Sequence, residues 1–346
     1  MTETIPIRVG VIGCGGMARQ HVRRMLRETT TTRLVALCDL SPSACAATAA
    51  IFREAGLEPP PCFSDLDQFL VEFAPRLDAV LIATPHAYHH DQAVACLEAG
   101  LDVLLEKPMV VSTAEAWSLI EVQRRTRRLL VVAFNGGLSP YIRTAVKWLR
   151  AGELGSVISI SATVWEGWGN AYAGHWKQRP EVSGGGFMFD TGVHMMNTVA
   201  TLADEDFVEI AAWLDTRGHP HGADLLGTVM GRLASGAMVT LHASGDTIRS
   251  CDSEVLMFCT NAILRTGVWG ERLEIQRAGE NRFERVEVPA ARTVWQQFLA
   301  IRNGEMANPC PPEVGLRVVR LWEAIKTSAA NNGVPVKCEP LLLARE

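Results

Sequence analysis

Long apolar runs are missing from this chain. No window comes near the about 18 uninterrupted apolar residues that a membrane-spanning helix requires, so no span is expected. An excess of positive charge is missing too: 33 Lys and Arg face 38 Asp and Glu, for a net charge of −5. That balance gives no electrostatic reason to bind nucleic acid. The one basic run, Arg124-Arg125-Thr126-Arg127-Arg128, falls at the tail of a predicted helix, where cations are favourable in any case. Nine cysteines, an odd number, form no C-x-x-C pair, which argues against a disulfide framework and against a zinc site. Reduced thiols are expected, with Cys14 and Cys38 acting as small apolar residues in buried elements. Residues 1–7 hold no basic segment leading into an apolar one, so no secretory signal is expected and the chain reads as cytoplasmic. Internal repeats and low-complexity tracts are absent as well. What remains is 346 residues, 48% of them apolar, enough for about two soluble globular domains.

The first forty residues are the most informative. Arg8-Val9-Gly10-Val11-Ile12 reads as a strand. It breaks into Gly13-Cys14-Gly15-Gly16-Met17-Ala18, and a helical pattern follows to about Glu28. A second apolar run, Leu34 to Cys38, ends in Asp39. Strand, Gly-rich turn, helix, strand and acid make the dinucleotide-binding fingerprint, here as G-x-G-x-x-A. Gly13 lets the chain turn sharply, Gly15 lets a pyrophosphate approach the backbone, and Ala18 lets the helix pack close to the strand. The phosphates then face free N–H groups at the helix N-terminus, with Cys14, Gly16 and Met17 completing the turn. Asp39 follows about 20 residues later, where a carboxylate accepts from the adenosine ribose. It would repel a 2′-phosphate, and Leu40 and Ser41 supply no cation, so NAD is expected over NADP.

Further along, strands and helices alternate. Helices are expected at about 41–56, with Ser41 as N-cap, 65–73, 89–99 and 112–128. Strands are expected at 79–83, 103–105 and 129–134. Alternation implies a doubly wound parallel sheet, a Rossmann domain over residues 1–134. After a helix at about 140–151 the pattern changes. Val157–Val164, Thr228–Leu233, Met238–Ala243, Glu254–Cys259, Ile263–Thr266, Leu273–Arg277 and Phe283–Val288 are strand-like, and several flank short polar or glycine-bearing turns. Two helices, about 294–303 and 312–331, close the chain. Residues 135–346 therefore read as an α/β domain on an open, mainly antiparallel sheet that binds substrate and joins subunits. Alternate positions in 229–233 and 238–241 are apolar on both faces, so a second copy is expected to cover that sheet in a homodimer or homotetramer.

Two groups of residues carry chemistry. Glu106-Lys107-Pro108 follows the strand that ends at Leu105, at the sheet edge where ligands bind. A Lys there can hydrogen-bond an alcohol oxygen and stabilise alkoxide character. Gly184-Gly185-Gly186 precedes Asp190 and His194, which share a face if one helix holds both, and Asn197 continues that face. A carboxylate beside an imidazole makes a usable general base, and the glycines suit close approach to a ligand. Between them, Trp165, Trp168, Tyr172, His175 and Trp176 form an aromatic stretch suited to carbohydrate C–H surfaces, with Asn170 and Lys177 as polar contacts. No resident metal is expected. His86, His89, His90 and Asp91 cluster on a loop the cofactor should occupy, and His219, His221 and Asp224 lie in a Gly/Pro-bearing loop.

Together these motifs resemble the Gfo/Idh/MocA oxidoreductases, the family of glucose–fructose oxidoreductase and inositol dehydrogenase. The resemblance rests on residues 10–18, Ala-Thr-Pro-His at 83–86 with His89, Glu-Lys-Pro at 106–108, Asn135 with Leu-Arg-Ala-Gly-Glu-Leu-Gly at 149–155, and Gly-Gly-Gly…Asp190…His194. It implies that Thr84, Pro85, His86, His89, Glu106 and Lys107 line NAD. It also implies that Lys107, Asp190 and His194 surround a substrate carbinol and that Asn197 meets a substrate hydroxyl, while Trp168, Asn170 and Trp176 are expected in contact with substrate on the chemistry of the aromatic stretch alone. Lys107 would polarise the oxygen, His194 would take the proton and Asp190 would support His194. The expected function is NAD(H)-dependent hydride transfer to or from a secondary alcohol of a cyclic polyol, sugar or sugar derivative. The alternatives are an NAD-dependent glycosidase of the same family and a non-catalytic dinucleotide-binding regulator. This chain has Asn197 where the family often has Asp, and His86 where it often has Asn. It has Gly136-Gly137 where the family often has two Arg, which argues against a strongly anionic substrate.

Overall fold

Strand propensity and turn chemistry build two units, described for residues 5–338 in a computed structural model. Residues 5–110, Ala114–Ala133 and Arg292–Pro312 form the first, and Val111–Thr113, Phe134–Ala291 and 313–338 the second.

The first unit holds six parallel strands: β1 Ile7–Ile12, β2 Thr32–Cys38, β3 Cys62–Phe63, β4 Ala79–Ile82, β5 Asp102–Leu105 and β6 Leu130–Val132. Their order is β3-β2-β1-β4-β5-β6, so the sheet changes direction between β1 and β4. Every residue of β4 and β5 is buried, as parallel strands covered by helices on both faces must be. The intervening helices run Gly16–Met25, Pro42–Glu54, Leu66–Phe73, His89–Glu98 and Thr113–Thr126. Ser41 caps the second as expected, its hydroxyl accepting from Ala44 N–H with Pro42 at the first position.

Contrary to the sequence expectation, residues 292–312 belong to this unit. β6 is an edge strand, and its backbone groups need partners. Cys310 O accepts from Val132 N–H, and the Asn308 amide donates to Leu130 O, both at 2.9 Å. The helix Val294–Arg302 begins with a capping box at Thr293 and Gln296. From it, Trp295 Nε1 donates to Thr32 Oγ1 and Arg302 pairs with Asp102. A second departure is the Cys45–Cys62 disulfide, with Cα atoms 6.2 Å apart, where only reduced thiols were expected. The sequence spacing did not show that the helix after β2 folds back over β3.

The second unit is built on nine strands: β7 Val157–Glu166, β8 Phe207–Asp215, β9 Leu226–Leu233, β10 Met238–Ser244, β11 Cys251–Cys259, β12 Ala262–Thr266, β13 Leu273–Arg277, β14 Glu284–Arg285 and β15 Val336–Lys337. The order is β14-β13-β12-β11-β7-β10-β9-β8-β15. All pairs are antiparallel except β7 with β10, a pairing between distant segments that hairpin turns cannot reveal. Burial alternates cleanly along β9 and β10. Val229, Leu233, Val239 and Leu241 point inward. The other face carries Thr228, Met230, Arg232, Met238, Thr240 and His242, so it is mixed, which corrects the expectation of apolar residues on both faces. The helix Gly192–Ala203 is buried at every position but Thr201 and packs on β7 and β10.

Candidate active site

In the first unit the turn after β1 is built around Gly13. Its φ is +88°, and a Cβ there would lie 2.6 Å from Ala83 O at the end of β4. Only glycine combines that dihedral with that contact. Gly15 starts the helix Gly16–Met25, which has no acidic residue in its first turn, and a Cβ on Gly15 or Gly16 would meet nothing within 4 Å. Free N–H groups and the positive end of the helix thus face open space, as a pyrophosphate requires. Ala18 is fully buried, and Met17 is 41% exposed at the mouth of the turn. Asp39 Oδ2 accepts from Cys14 N–H at 2.6 Å, and Oδ1 accepts from Ser41 N–H at 2.7 Å. An ionised carboxylate has about four lone-pair positions. Two are left for ribose hydroxyls, so these residues fit a dinucleotide.

The ends of β4 and β5 complete this edge. Thr84 Oγ1 donates to Gln92 Oε1 at 2.6 Å, and His86 is buried, its ring 5.7 Å from that of His89. His89 is fully buried, with one ring nitrogen 2.9 Å from Pro108 O and the other 2.9 Å from Thr84 O. Burial drives the ring towards its neutral form, against the pull of those carbonyls. The expectation that His89 lines the cofactor is therefore corrected. The ring is enclosed between the exits of β4 and β5, its single N–H donating to one of the two carbonyls. Glu106 is buried too; Oε1 meets His21 Nε2 at 2.7 Å, and Oε2 accepts from Lys107 N–H at 3.1 Å. Burial opposes its charge, but the hydrogen bond from His21 and the nearby charges of His21 and Lys107 win and bring the carboxyl down to about 2. Glu106 is thus a buried anchor for Lys107, which is itself half-buried just past β5.

In the second unit the glycine run serves packing. A Cβ on Gly185 would lie 2.5 Å from Trp322, and one on Gly186 would lie 2.3 Å from the backbone of Asp224. The Asp224 carboxylate accepts from Gly186 N–H and Met188 N–H, each at 2.8 Å. The glycines therefore admit protein rather than ligand, which corrects the sequence reading. Asp190 ends a short helix, Phe187–Asp190, and the chain breaks at Thr191 before Gly192–Ala203 begins. Asp190 and His194 are not on one continuous helix, whereas His194 and Asn197 share a face of the second. Asp190 Oδ2 accepts from Trp168 Nε1 and from Lys177 Nζ, both at 2.8 Å. Lys177 also lies 4.4 Å from the centre of the Tyr172 ring. Burial works against its charge, yet Asp190 and then Tyr172 hold its pKa above the usual value. Trp168 is fully buried and so is a support for Asp190, not an exposed sugar platform. Asn170 is exposed and Trp176 half-buried on the same loop.

His194 is 6% exposed, with its ring 6.1 Å from that of Trp269. Asn197 is 1% exposed, and neither its Oδ1 nor its Nδ2 has a partner among the described residues. Sequence reasoning missed Trp269, whose only signal is a lone Trp between Val268 and Gly270 after β12. It also assigned Lys177 to substrate without its pairing to Asp190. The Lys177–Asp190 pair joins a loop to a helix end, and no local pattern announces it.

Comparison with known proteins agrees with this architecture. Residues 7–134 match the oxidoreductase family with an NAD-binding Rossmann fold, and residues 142–265 match the GFO/IDH/MocA C-terminal domain. Inositol 2-dehydrogenase 4 of Saccharopolyspora erythraea is 29% identical over 244 residues, 68% of this chain and 66% of its own length. Levoglucosan dehydrogenase of Pseudarthrobacter phenanthrenivorans is 28% identical over 164 residues, 45% of this chain and 42% of its own length. An inositol dehydrogenase homolog from Azotobacter vinelandii, crystallised with NAD+, matches with a TM-score of 0.83 over 97% of this chain and 98% of that one. At 19% identity that likeness shows the fold. With a Gly-rich turn and acid fit for a dinucleotide, and both halves matched, this chain belongs to the Gfo/Idh/MocA family of NAD-binding oxidoreductases.

Proposed function

We propose that this chain transfers hydride between NAD(H) and a secondary alcohol of a cyclic polyol, sugar or sugar derivative. One observation carries the substrate class. Asn197 is buried on the His194 face of its helix, with both an amide donor and a carbonyl acceptor unpartnered among the described residues. A buried amide in that state is costly, and a ligand hydroxyl that donates and accepts satisfies both atoms. NAD, when bound, supplies hydride acceptance or donation at its nicotinamide. Lys107 hydrogen-bonds the carbinol oxygen and stabilises its developing charge. His194 takes the hydroxyl proton as general base. Asp190, held by Trp168, pairs with Lys177 and fixes the loop that carries Tyr172 and Trp176. A panel of inositols, aldoses and anhydrosugars, followed by nicotinamide absorbance, tests this reading. Turnover on none of them, with NAD bound, would sink it.

NAD should be preferred to NADP. Asp39 is anchored by two backbone amides, so its carboxylate stays where a 2′-phosphate would meet it. Asp39→Ala should narrow the preference in a dissociation-constant titration, and equal affinities in the unaltered protein would refute the assignment.

The chain should also self-associate through its nine-stranded sheet. Trp213, Met230 and Met238 are 50%, 46% and 48% exposed there. In register they alternate with Thr228, Thr240 and Arg232, a mixed surface suited to a second copy of itself. Light scattering should give a dimer or tetramer at micromolar concentration, and Met230→Lys should lower the mass. A monomer before substitution would contradict the proposal.

A further inference from the structure

Three sulfurs cluster beside the Gly-rich turn. Cys14 lies in the turn, Cys45 on the helix Pro42–Glu54 and Cys62 on β3, and their Sγ atoms all lie within 4.8 Å of one another. Cys14 is buried, Cys45 half-buried and Cys62 exposed, so the cluster opens to solvent on one side. Cys45 and Cys62 are bonded to each other here. We propose that reduction of the Cys45–Cys62 bond converts this cluster into a three-thiolate site for a thiophilic cation, Zn2+ or Cu+, that competes with dinucleotide binding.

The geometry is close to what such an ion needs. Metal–sulfur bonds of about 2.3 Å at tetrahedral angles put sulfurs about 3.8 Å apart. Cys14 Sγ lies within 4.8 Å of the other two, so forming the site takes the parting of Cys45 from Cys62 and a convergence of Cys14 by at most about 1 Å. A dithiol reductant gives two electrons and two protons to their bond. The cation then displaces one proton from each of the three thiols, and water takes the remaining position.

Competition with the dinucleotide follows from the same contacts. Cys14 N–H is bonded to the Asp39 carboxylate, and Cys45 Sγ lies 3.7 Å from the Asp39 carbonyl oxygen. Filling the site draws on both ends of the residue that meets the ribose.

Cobalt titration of the reduced full chain, freed of reductant without oxygen, tests the proposal. The thiolate-to-cobalt charge-transfer band should saturate at one ion per chain. Cys45→Ser and Cys62→Ser should each weaken binding on the order of 10²-fold, since losing a direct ligand costs at least what losing its supporting partner does. Cys14→Ser should do the same, with thermal unfolding as a check on folding. Cys251→Ser, at an exposed cysteine elsewhere, should bind as the parent does. A disulfide oxidant should abolish the band, and Zn2+ should raise the apparent Kd for NAD. Parent-like cobalt binding by Cys45→Ser or Cys62→Ser, or saturation with their bond intact, overturns the site. Because the readout is spectroscopic, it is independent of whether any sugar is turned over.

Discussion

His194→Ala should lower kcat by on the order of 10²–10⁴, the range general acid–base catalysis supplies, while NAD affinity stays nearly unchanged. His194 lies on the helix Gly192–Ala203, and the substitution alters none of the residues assigned to the dinucleotide in the Gly13–Ala18 turn or at Asp39. Oxidation in the unaltered protein should fall as pH is lowered, because a protonated imidazole cannot accept the carbinol proton. Lys107→Ala should also lower kcat, since the charge it stabilises grows towards the transition state. Asp190→Ala is a different experiment. It leaves the Lys177 ammonium, whose side chain is 17% exposed, without its carboxylate, so stability should fall by about 3–5 kcal/mol. Steady-state kinetics on the substrate found by the panel, with thermal unfolding alongside, separates these effects. Wild-type turnover in His194→Ala would remove it as the base, and wild-type turnover in Lys107→Ala as well would favour a regulator.

Glu106→Gln should be the most damaging substitution in the first unit that leaves the turn sequence intact. It removes the charge that His21 and Lys107 face in a buried setting, a loss of about 3–5 kcal/mol. For a unit of this size that is roughly 10 °C in melting temperature. The pH dependence has a definite sign. The carboxyl lies below its ordinary value in the folded chain, at about 2. Its contribution is complete above the ordinary carboxylate range and is lost as pH falls towards about 2. Urea midpoints measured from neutral to acid should therefore drop more steeply in the parent than in Glu106→Gln. Identical acid slopes would show that Glu106 is not held ionised by its neighbours.

Much of this was legible in the sequence because its causes are local. The Gly13 turn, the Ser41 cap and the β9–β10 hairpin are set by residues a few positions apart. Helix boundaries at Pro42–Glu54, His89–Glu98 and Pro140–Arg150 fall within a residue or two of those expected. The strand Phe207–Asp215 was missed because Glu209 and Ala211-Ala212 blur its alternation. His89 looked like a cofactor residue because its place beside Thr84 does not reveal that Pro108 O waits on its other side.

By itself, then, the sequence determined the parallel sheet and the dinucleotide turn with its acid, and it singled out Lys107, Asp190, His194 and Asn197 as candidates. Periodicity, glycine dihedrals and cap chemistry act over a few residues, so one chain suffices to read them. Only the tertiary structure decided that Asp190 pairs with Lys177 and Trp168, that Glu106 is anchored by His21, that residues 292–312 return to cover β6, and that Cys14, Cys45 and Cys62 converge. Each joins segments separated along the chain, and the burial of a charge, an edge strand or a thiol depends on what folds back over it.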